Sequence, residues 1–386
     1  MRKICVITGT RAEYGLLSRL MRLVANSSDC QLQVIATNMH LLPEYGNTYQ
    51  EIEADGFRID AKVYMYKSSD DSLGIVESMA EEMSGMNKAL AALRPDLVVI
   101  LGDRYEMLVA AQVAMLHRIP VAHLYGGDIT EGAYDDSIRH CITKLSHLHF
   151  TSTEEYRQRV IQLGEQPDRV YYVGSLGVEN IRKMPLLNQS ELEEWVGISF
   201  DKPIVLATYH PVTLGCRTPM EDILDFLSAL DEFPHLQVIF TMPNSDQGGD
   251  LIREAILRYC ANNSERCKAF PSLGVKRYLS LMRYAVAVVG NSSSGLVEVP
   301  SVHIPTLNIG DRQKGRARSL SVIDCQSDKA SVVEGLKKVL SDEQFQLSRY
   351  AQNPYEKAGT AQSIFDVIST HPLESLTQKS FYNIQV

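Results

Sequence analysis

Short apolar segments alternate with longer helical patterns along the whole of this 386-residue chain. Alternation of this kind predicts parallel sheets that helices cover on both faces. Ten segments have the composition of buried strands, at residues 4–7, 32–36, 97–101, 120–123, 148–151, 170–173, 204–207, 237–240, 286–289 and 306–309. The alternation breaks over the polar stretch 174–188 and then begins again. We therefore expect two α/β domains rather than one, because the chain is too long for one ordinary core.

The domain bounds follow from that break. We expect an N-terminal domain over residues 1–176 and a C-terminal domain over residues 177–363, with a last helix at about 364–386 that returns to the first domain. Polar residues cluster just after six predicted strands, at 8–13, 102–106, 126–136, 209–213, 244–249 and 291–298. Ligands of open α/β sheets bind at the carboxyl ends of the strands. The six polar clusters therefore predict one active site, in the cleft between the domains.

Charge and composition exclude several classes of partner. The net charge is −9 and no basic block stands out, which argues against binding to nucleic acid or to an anionic membrane. No segment has the length of a membrane span, and the apolar run at the N-terminus is too short for a signal peptide. The seven cysteines are scattered without a close pair, which favours reduced thiols. We expect a cytoplasmic protein that binds an anionic substrate with a few placed arginines.

The segment 290–316 says most about function. The sequence GNSSSG follows a predicted strand, and small hydroxyl residues at a helix start leave backbone N–H groups free for an anion such as phosphate. Glu298, one turn later, could accept hydrogen bonds from sugar hydroxyls, and Arg312 could close over the anion. Helix capping alone would explain the serines. The carboxylate and the Gly-Asp-Arg loop in the same stretch make a nucleotide-sugar site the better interpretation.

Arg11 and two acidic clusters are further candidates. Arg11 lies in a strand-to-helix turn that is neither a Gly-x-Gly-x-x-Gly fingerprint nor a Walker loop, and we expect its guanidinium to face the cleft. Asp103 is expected to be a cleft carboxylate held beside Arg104. Asp135 and Asp136 precede another helix, and capping explains one of these two aspartates but not both.

The histidines differ in what their positions indicate. His210 lies at a strand end before a proline, where the backbone is extended, and we interpret it as a phosphate donor. The spacing of His40 is equally compatible with a side chain that faces the cleft and with one that has no role in binding. His147 and His149 alternate on a strand and have no further ligands at metal spacing. We predict neither a metal ion nor a cofactor.

Taken together, these motifs resemble the hydrolysing UDP-N-acetylglucosamine 2-epimerases, bacterial enzymes that release N-acetylmannosamine for sialic acid synthesis. The resemblance spans both predicted domains. It rests on TGTRAEYG at 8–15, Met39-His40, YGNT at 45–48, LGDRYE at 101–106, DDSIRHCITK at 135–144, TSTEEY at 151–156, QLGE at 162–165, His210-Pro211, GNSSSG at 290–295 and IGDRQKGR at 309–316.

The resemblance implies a fold and a set of roles. The fold would be two Rossmann-like domains, as in GT-B glycosyltransferases, in a homo-oligomer (dimer or tetramer) that takes a UDP-sugar as its substrate. Catalytic carboxylates would be Asp103 and Asp135, without an assignment of base and acid between them. Positions matching UDP-binding residues are Arg11, His210, Asn244, Ser292, Ser293, Glu298 and Arg312, and we add His40 and Arg104 as candidate substrate contacts and His210 as a candidate catalytic group.

One position departs from the pattern. Many relatives have glutamate or histidine where this chain has Tyr125, and a phenol with an ordinary pKa of about 10 is a poor base near neutral pH. Glu131 or Asp128 would then supply the third carboxylate, or the reaction would proceed without one.

The expected reaction releases UDP and N-acetylmannosamine from UDP-N-acetylglucosamine by way of 2-acetamidoglucal. Two alternatives remain close: the same chemistry on UDP-2,4-diacetamido-2,4,6-trideoxyglucose for legionaminic acid, or a non-hydrolysing epimerase that returns UDP-N-acetylmannosamine. A retaining glycosyltransferase or an inactive UDP-sugar binding module would share the fold.

Overall fold

The computed structural model describes residues 1–65, 71–131, 133–212, 217–243 and 246–384. The chain divides into two compact units. The first contains Met1–Asp128, Asp135–Glu179 and the chain from Tyr355 onward, and the second contains Ile129–Tyr134 and Asn180–Pro354. The first unit is therefore discontinuous, and the short 129–134 segment leaves it to join the second.

The first unit is built on a seven-stranded sheet in which all neighbouring strands are parallel. Its order is β3-β2-β1-β4-β5-β6-β7. The strands are β1 (Arg2–Thr8), β2 (Cys30–Thr37), β3 (Ala61–Val63), β4 (Leu97–Leu101), β5 (Val121–Leu124), β6 (Leu148–Thr151) and β7 (Val170–Tyr172).

The second unit is built on a six-stranded parallel sheet of order β10-β9-β8-β11-β12-β13. Its strands are β8 (Ile204–Thr208), β9 (Gln237–Thr241), β10 (Cys267–Phe270), β11 (Ala285–Gly290), β12 (Thr306–Ile309) and β13 (Val322–Cys325). Two parallel-sheet α/β units confirm the predicted fold class.

Helices connect these strands in both units. In chain order they are α1 (Arg11–Ala25), α2 (Tyr49–Ala54), α3 (Ser72–Leu93), α4 (Tyr105–Leu116), α5 (Asp135–Leu145), α6 (Glu154–Gln162), α7 (Leu176–Lys183), α8 (Gln189–Val196), α9 (Pro219–Leu230), α10 (Gly249–Asn262), α11 (Gly274–Met282), α12 (Ser294–Val297), α13 (Lys329–Val339), α14 (Asp342–Tyr350) and α15 (Thr360–Thr370). Short 3-10 turns occur at Asn38–Leu41, Pro43–Tyr45, Pro167–Arg169 and Val299–Val302.

The central strands are apolar on both sides because the first sheet has a core on each face. Ile4 and Val6 of β1 join one buried cluster, with α1 and α15, whereas Cys5 and Ile7 join the other, with α3 and α4. Successive strand residues point to opposite faces, so a sheet covered twice requires an unbroken apolar run. This is the pattern from which the ten strands were predicted.

The chain from Tyr355 onward completes the first unit. Ile364 and Ile368 of α15 pack in the cluster that contains Leu17 and Leu20 of α1. The helix ends at Thr370, so the expectation of a helix to the end of the chain is wrong.

The extension beyond this helix is anchored to the first unit. Lys379 Nζ lies 2.8 Å from Glu165 Oε2, and the N–H of Tyr382 donates to the carbonyl of Gly164 at 2.8 Å. The ring of Phe381 packs so closely on Gly164 that a Cβ there would lie 2.3 Å from its Cε2 atom.

Three strands were missed from the sequence: β3, β10 and β13, which are all edge strands. They have three or four residues each and are partly exposed, so they lack a continuous apolar run. Within the described ranges, no helix combines the length and the apolarity needed to cross a membrane.

Candidate active site

The carboxyl end of β4 carries Asp103 on a constrained corner. Gly102 has φ +84°, a left-handed conformation that favours glycine. Helix α4 has Arg104 as its N-cap, so the carboxylate of Asp103 does not cap that helix. It accepts hydrogen bonds from both Nε, at 3.0 Å, and the NH2 group of Arg139 on α5.

Arg139 joins three segments of the first unit. Besides Asp103, its NH1 group donates to the carbonyl of Asp128 at 2.9 Å and to Asp136 Oδ1 at 3.1 Å. Only 1% of its side chain is exposed, against 23% for Asp103 and 28% for Asp136. The predicted site carboxylate is thus partly accessible, and its partner is buried beneath it.

The backbone of the same corner is held by His123 of β5. Its Nε2 atom lies 2.8 Å from the carbonyl of Gly102, and its Nδ1 atom lies 3.3 Å from the Thr143 hydroxyl. A carbonyl only accepts, so Nε2 carries the proton. Burial lowers the pKa of His123 to about 3, so this ring stays neutral.

Arg104 was expected beside Asp103, but its Nε atom donates to Glu106 Oε1 at 2.7 Å. Arg104 is buried, and Glu106 is completely so. Glu13, also buried, accepts from the N–H groups of Gly9 and Thr10 at the start of α1. Burial, reinforced by nearby Glu106, raises the pKa of Glu13 to about 8. The positive charge of Arg104 therefore partly offsets the negative charges of the buried Glu13 and Glu106.

Arg11 and His40 lie at the ends of β1 and β2, where both have internal partners. Arg11 Nε donates to Glu51 Oε2 at 2.7 Å, and its NH2 group lies 2.5 Å from Glu51 Oε1. His40 is fully buried between the hydroxyls of Thr8 and Thr48, at 3.0 and 2.8 Å from its two ring nitrogens. Burial lowers the pKa of His40 to about 3. Both of its nitrogens are thus engaged within the protein.

Tyr125 stabilises the start of a helix. Its hydroxyl accepts from the N–H of Leu176 at 2.7 Å and lies 3.2 Å from the hydroxyl of Ser175, at the first turn of α7. Its φ of +68° is unusual for a residue other than glycine. The phenol therefore serves the structure of the first unit, where it bonds the start of α7.

In the second unit, Asn291 connects three predicted binding segments. Its side chain accepts from the N–H of His210 and donates to the carbonyl of His210, both at 2.7 Å. Its own carbonyl accepts from Gln313 at 2.8 Å and from the NH1 group of Arg312 at 3.4 Å. Asn291 and Gln313 are both fully buried. Asn291 thus bonds both His210 and Arg312, the two residues predicted to bind phosphate.

The turn after β11 presents backbone N–H donors. Gly290 has φ +134°, and a Cβ there would lie 1.9 Å from the carbonyl oxygen of Thr208, so only glycine fits. Among the described residues, the backbone N–H groups of Ser292 and Ser293 have no acceptor. The following α12 has only four residues, so its dipole adds less than a long helix would. These two backbone N–H groups nevertheless form a suitable anion site.

Glu298 and Glu131 complete the second unit's acidic candidates. Burial raises the pKa of the partly buried Glu298 to about 7, although the Ser294 hydroxyl and Arg316 oppose the shift. Glu131 is exposed and pairs with Lys314, whose Nζ lies 3.0 Å from Glu131 Oε2.

Two further predicted site residues remain. Asp135, in the first unit, is partly exposed in the first turn of α5. Asn244 lies outside the described residues.

Sequence reasoning missed the supporting residues Arg139, His123, Asn291 and Gln313. One signal was present: Asp135, Arg139 and Thr143 recur at four-residue spacing, which gives α5 a polar stripe. No group of three or more histidine, cysteine or acidic side chains suited to a metal ion occurs among the residues that the structure describes.

Comparison with known proteins identifies the family. Residues 22–369 match the family model described as UDP-N-acetylglucosamine 2-epimerase. A Campylobacter jejuni protein named GDP/UDP-N,N'-diacetylbacillosamine 2-epimerase (hydrolyzing) is 47% identical over 325 residues, 84% of each chain. Polysialic acid biosynthesis protein P7 of Escherichia coli is 38% identical over 387 residues, 100% of this chain and 98% of that protein.

A solved structure agrees in fold. The crystal structure of the UDP-GlcNAc 2-epimerase from Neisseria meningitidis, bound to UDP-GlcNAc, superposes with a TM-score of 0.78 at 18% identity, over 95% of this chain and 99% of the other. The resemblance drawn from the motifs is confirmed, and the chain belongs to the UDP-N-acetylglucosamine 2-epimerase family.

Proposed function

We propose that this protein is a hydrolysing 2-epimerase that converts UDP-N-acetylglucosamine to UDP and N-acetylmannosamine, the first step of sialic acid synthesis. Its family membership supports a UDP-sugar 2-epimerase. Support for the hydrolysing reaction comes from the Campylobacter jejuni relative, whose name states hydrolysis.

The observation that carries the nucleotide assignment is the set of hydrogen bonds around Asn291. It joins His210 and Arg312, beside two serine N–H groups that have no acceptor among the described residues. Charge-assisted hydrogen bonds of this kind are about twice as strong as neutral ones and suit a diphosphate. Glu298 is proposed to accept the ribose hydroxyls, and Arg11 and Asn244 to complete the UDP contacts.

The chemistry of the sugar favours departure of UDP as the first event. The C2 proton is not acidic, because no carbonyl lies beside C2 in the ring. The C1–O bond breaks first, its electron pair leaves with UDP, and the Ser292–Ser293 amides, His210 and Arg312 stabilise the growing charge. Positive charge on C1 then acidifies the C2 hydrogen, a carboxylate takes that proton, and 2-acetamidoglucal forms.

The second half adds water across the double bond. A proton is delivered to C2 from the opposite face while water adds to C1 and loses a proton, which gives free N-acetylmannosamine. Asp103 and Asp135 are proposed as the two proton-transfer groups, and Glu131 as the third carboxylate that Tyr125 does not supply. Asp103 is partly accessible and sits at a strand end, as such a role requires.

Isotopic labelling tests this route. In D₂O the N-acetylmannosamine should carry deuterium at C2, and in H₂¹⁸O the label should enter at C1 during turnover, read before anomeric exchange. Product that retains hydrogen at C2 would refute elimination, and UDP-N-acetylmannosamine as the end product would show a non-hydrolysing enzyme. Turnover without an acceptor sugar would exclude both a glycosyltransferase and an inactive binding module.

Substitution tests the proposed residues. Asp103→Asn should lose most turnover and still bind UDP, whereas Asp168→Asn, at an exposed position in the same unit, should behave as the wild type. Near-normal turnover by Asp103→Asn would remove this residue from the mechanism.

A second substrate is favoured by one observation, the 47% identity to the diacetylbacillosamine enzyme. N,N'-Diacetylbacillosamine is 2,4-diacetamido-2,4,6-trideoxyglucose, which differs from N-acetylglucosamine at C4 and C6 and presents the same C1 and C2 to the chemistry. Both UDP-sugars should therefore be assayed in parallel for UDP release. A higher kcat/KM for the diacetamido sugar would replace UDP-N-acetylglucosamine as the substrate without changing the mechanism.

A further inference from the structure

The guanidinium of Arg139 bonds protein groups through all three of its nitrogens. Nε and NH2 both donate to the same oxygen, Oδ2 of Asp103, and NH1 donates to the Asp128 carbonyl and to Asp136. With 1% of the side chain exposed, this arginine has almost no surface to offer to a sugar or a phosphate. Arg139 therefore acts on the protein groups that it bonds, and Asp103 is the one among them with a proposed catalytic role.

A second contact from the same helix acts on the same corner. Thr143 follows Arg139 by one turn of α5, and its hydroxyl bonds His123, which in turn donates to the Gly102 carbonyl. Arg139 thus holds the side chain of Asp103, and Thr143 with His123 holds the peptide before it. Space here is small: a Cβ on Gly126 would lie 2.9 Å from the Thr143 hydroxyl and 3.1 Å from His123 Nδ1.

From these contacts we propose that Arg139 is a positioning residue, which orients the carboxylate of Asp103 for proton transfer at C2 of the sugar. This inference rests on the proposed function, because it needs Asp103 in the reaction. Two donors from a rigid planar fork on one oxygen restrict rotation of the carboxylate, which a single flexible ammonium does not do. A misplacement of about 1 Å can reduce turnover on the order of 100-fold.

The first test separates positioning from binding. Arg139→Gln should lower kcat on the order of 100-fold, as expected for a misplaced reacting group. KM and the Kd of UDP should stay within about threefold, because the phosphate-binding groups lie elsewhere. Arg139→Lys keeps the charge and loses the fork, so its kcat should also fall clearly. A wild-type kcat in Arg139→Lys would overturn the proposal.

The second test asks whether Arg139 acts through Asp103. If it does, Arg139→Gln should change the residual turnover of Asp103→Asn by less than about threefold, because the two residues work as one unit. Full additivity of the two losses would overturn the proposal. The control is Arg157→Gln. The guanidinium of Arg157 is likewise bonded by three groups of the first unit, in its case two backbone carbonyls and one carboxylate. This variant should lose stability and keep kcat.

A milder substitution tests the proposal in the case that Arg139→Gln does not fold. Thr143→Val removes one hydroxyl at nearly constant volume, and kcat should fall about 3- to 10-fold at unchanged KM as His123 and the Gly102 carbonyl are released. An unchanged kcat in a folded Thr143→Val protein, when Arg139→Gln does not fold, would overturn the proposal. The proposed function fails separately, when the wild type releases no UDP from either sugar or Asp103→Asn keeps its turnover.

Discussion

The carboxamide of Asn291 bonds both backbone polar groups of His210, as acceptor from the N–H and as donor to the carbonyl, each at 2.7 Å. The end of β11 thereby fixes the chain just beyond β8. Only an amide can make both bonds at once, since a carboxylate lacks the donor and a hydroxyl is too short.

Asn291→Asp should weaken UDP binding and lower stability. The carbonyl of His210 loses a buried donor, which costs about 1–3 kcal/mol, and the new carboxylate repels the diphosphate. Calorimetric titration with UDP measures the change, expected to be tenfold or more. Asn263→Asp is the control, because the amide of Asn263 donates to the Tyr259 carbonyl, within one turn of its own helix end. Equal effects of the two substitutions would contradict the role of Asn291.

Glu298→Gln should raise stability at pH 8 but not at pH 4.5. The folded-state pKa of about 7 lies above the ordinary 4.5, so the folded protein retains a proton that the unfolded chain releases. This contribution is complete below pH 4.5 and is lost as the pH rises through 7. Because Glu298 is partly exposed, the gain at pH 8 should be about 1–2 kcal/mol rather than the full shift. Thermal melts without nucleotide test it, and a pH-independent difference would contradict it.

Arg11→Ala and Glu51→Gln should have different effects on UDP binding. If Arg11 contacts the nucleotide, its loss should weaken UDP about tenfold or more, since hydrogen bonds to charged groups are worth about 1.5–3 kcal/mol. Glu51→Gln removes a competing carboxylate, and UDP should bind equally well or more tightly. Parallel titrations decide, and equal weakening by both changes would show that Arg11 serves only its partner Glu51.

Arg312→Ala should weaken UDP binding about 10- to 100-fold, and binding should not change when EDTA is added, because protein groups supply the positive charge. Arg58→Ala, at a side chain that is 88% exposed, is the control and should bind as the wild type. A strict requirement for a divalent cation in calorimetry would contradict this arrangement.

Tyr125→Phe should lower stability by about 1 kcal/mol and leave kcat nearly unchanged. The hydroxyl bonds the N–H of Leu176, so its removal leaves one helix-start donor without its present acceptor. Melting temperature and steady-state kinetics measure the two effects. A tenfold loss of kcat at an unchanged melting temperature would instead place the phenol in the reaction.

The fold was predictable because the central strands are buried on both faces. Three of the four edge strands were not predictable, because β3, β10 and β13 are short and partly exposed. The helix predicted after the serines is present for only one turn, as α12 at Ser294–Val297. Pro300 cannot donate a backbone hydrogen bond, and the chain changes to a 3-10 turn at Val299–Val302.

Site residues were found where a polar side chain follows a strand, but their partners were not. Asp103 was expected beside Arg104, its neighbour in sequence. The backbone of Arg104 is extended, with φ −82° and ψ 153°, and neighbouring side chains of extended backbone point to opposite sides. Arg104 therefore turns to Glu106, and Asp103 meets Arg139 from 36 positions away. Such pairing depends on how α5 packs, which the strand pattern does not specify.

The discontinuous course of the first unit sets an order for its synthesis. Residues of β1 and α1 leave the ribosome before Asn180–Pro354, yet α15, which packs against them, is made after the whole of that segment. The second unit has all its strands before the first unit has its last helix. Nascent chains therefore carry an apolar face of α1, around Leu17 and Leu20, that awaits residues 361–368. Chaperones that bind exposed apolar segments should act on this face until translation reaches the end of α15.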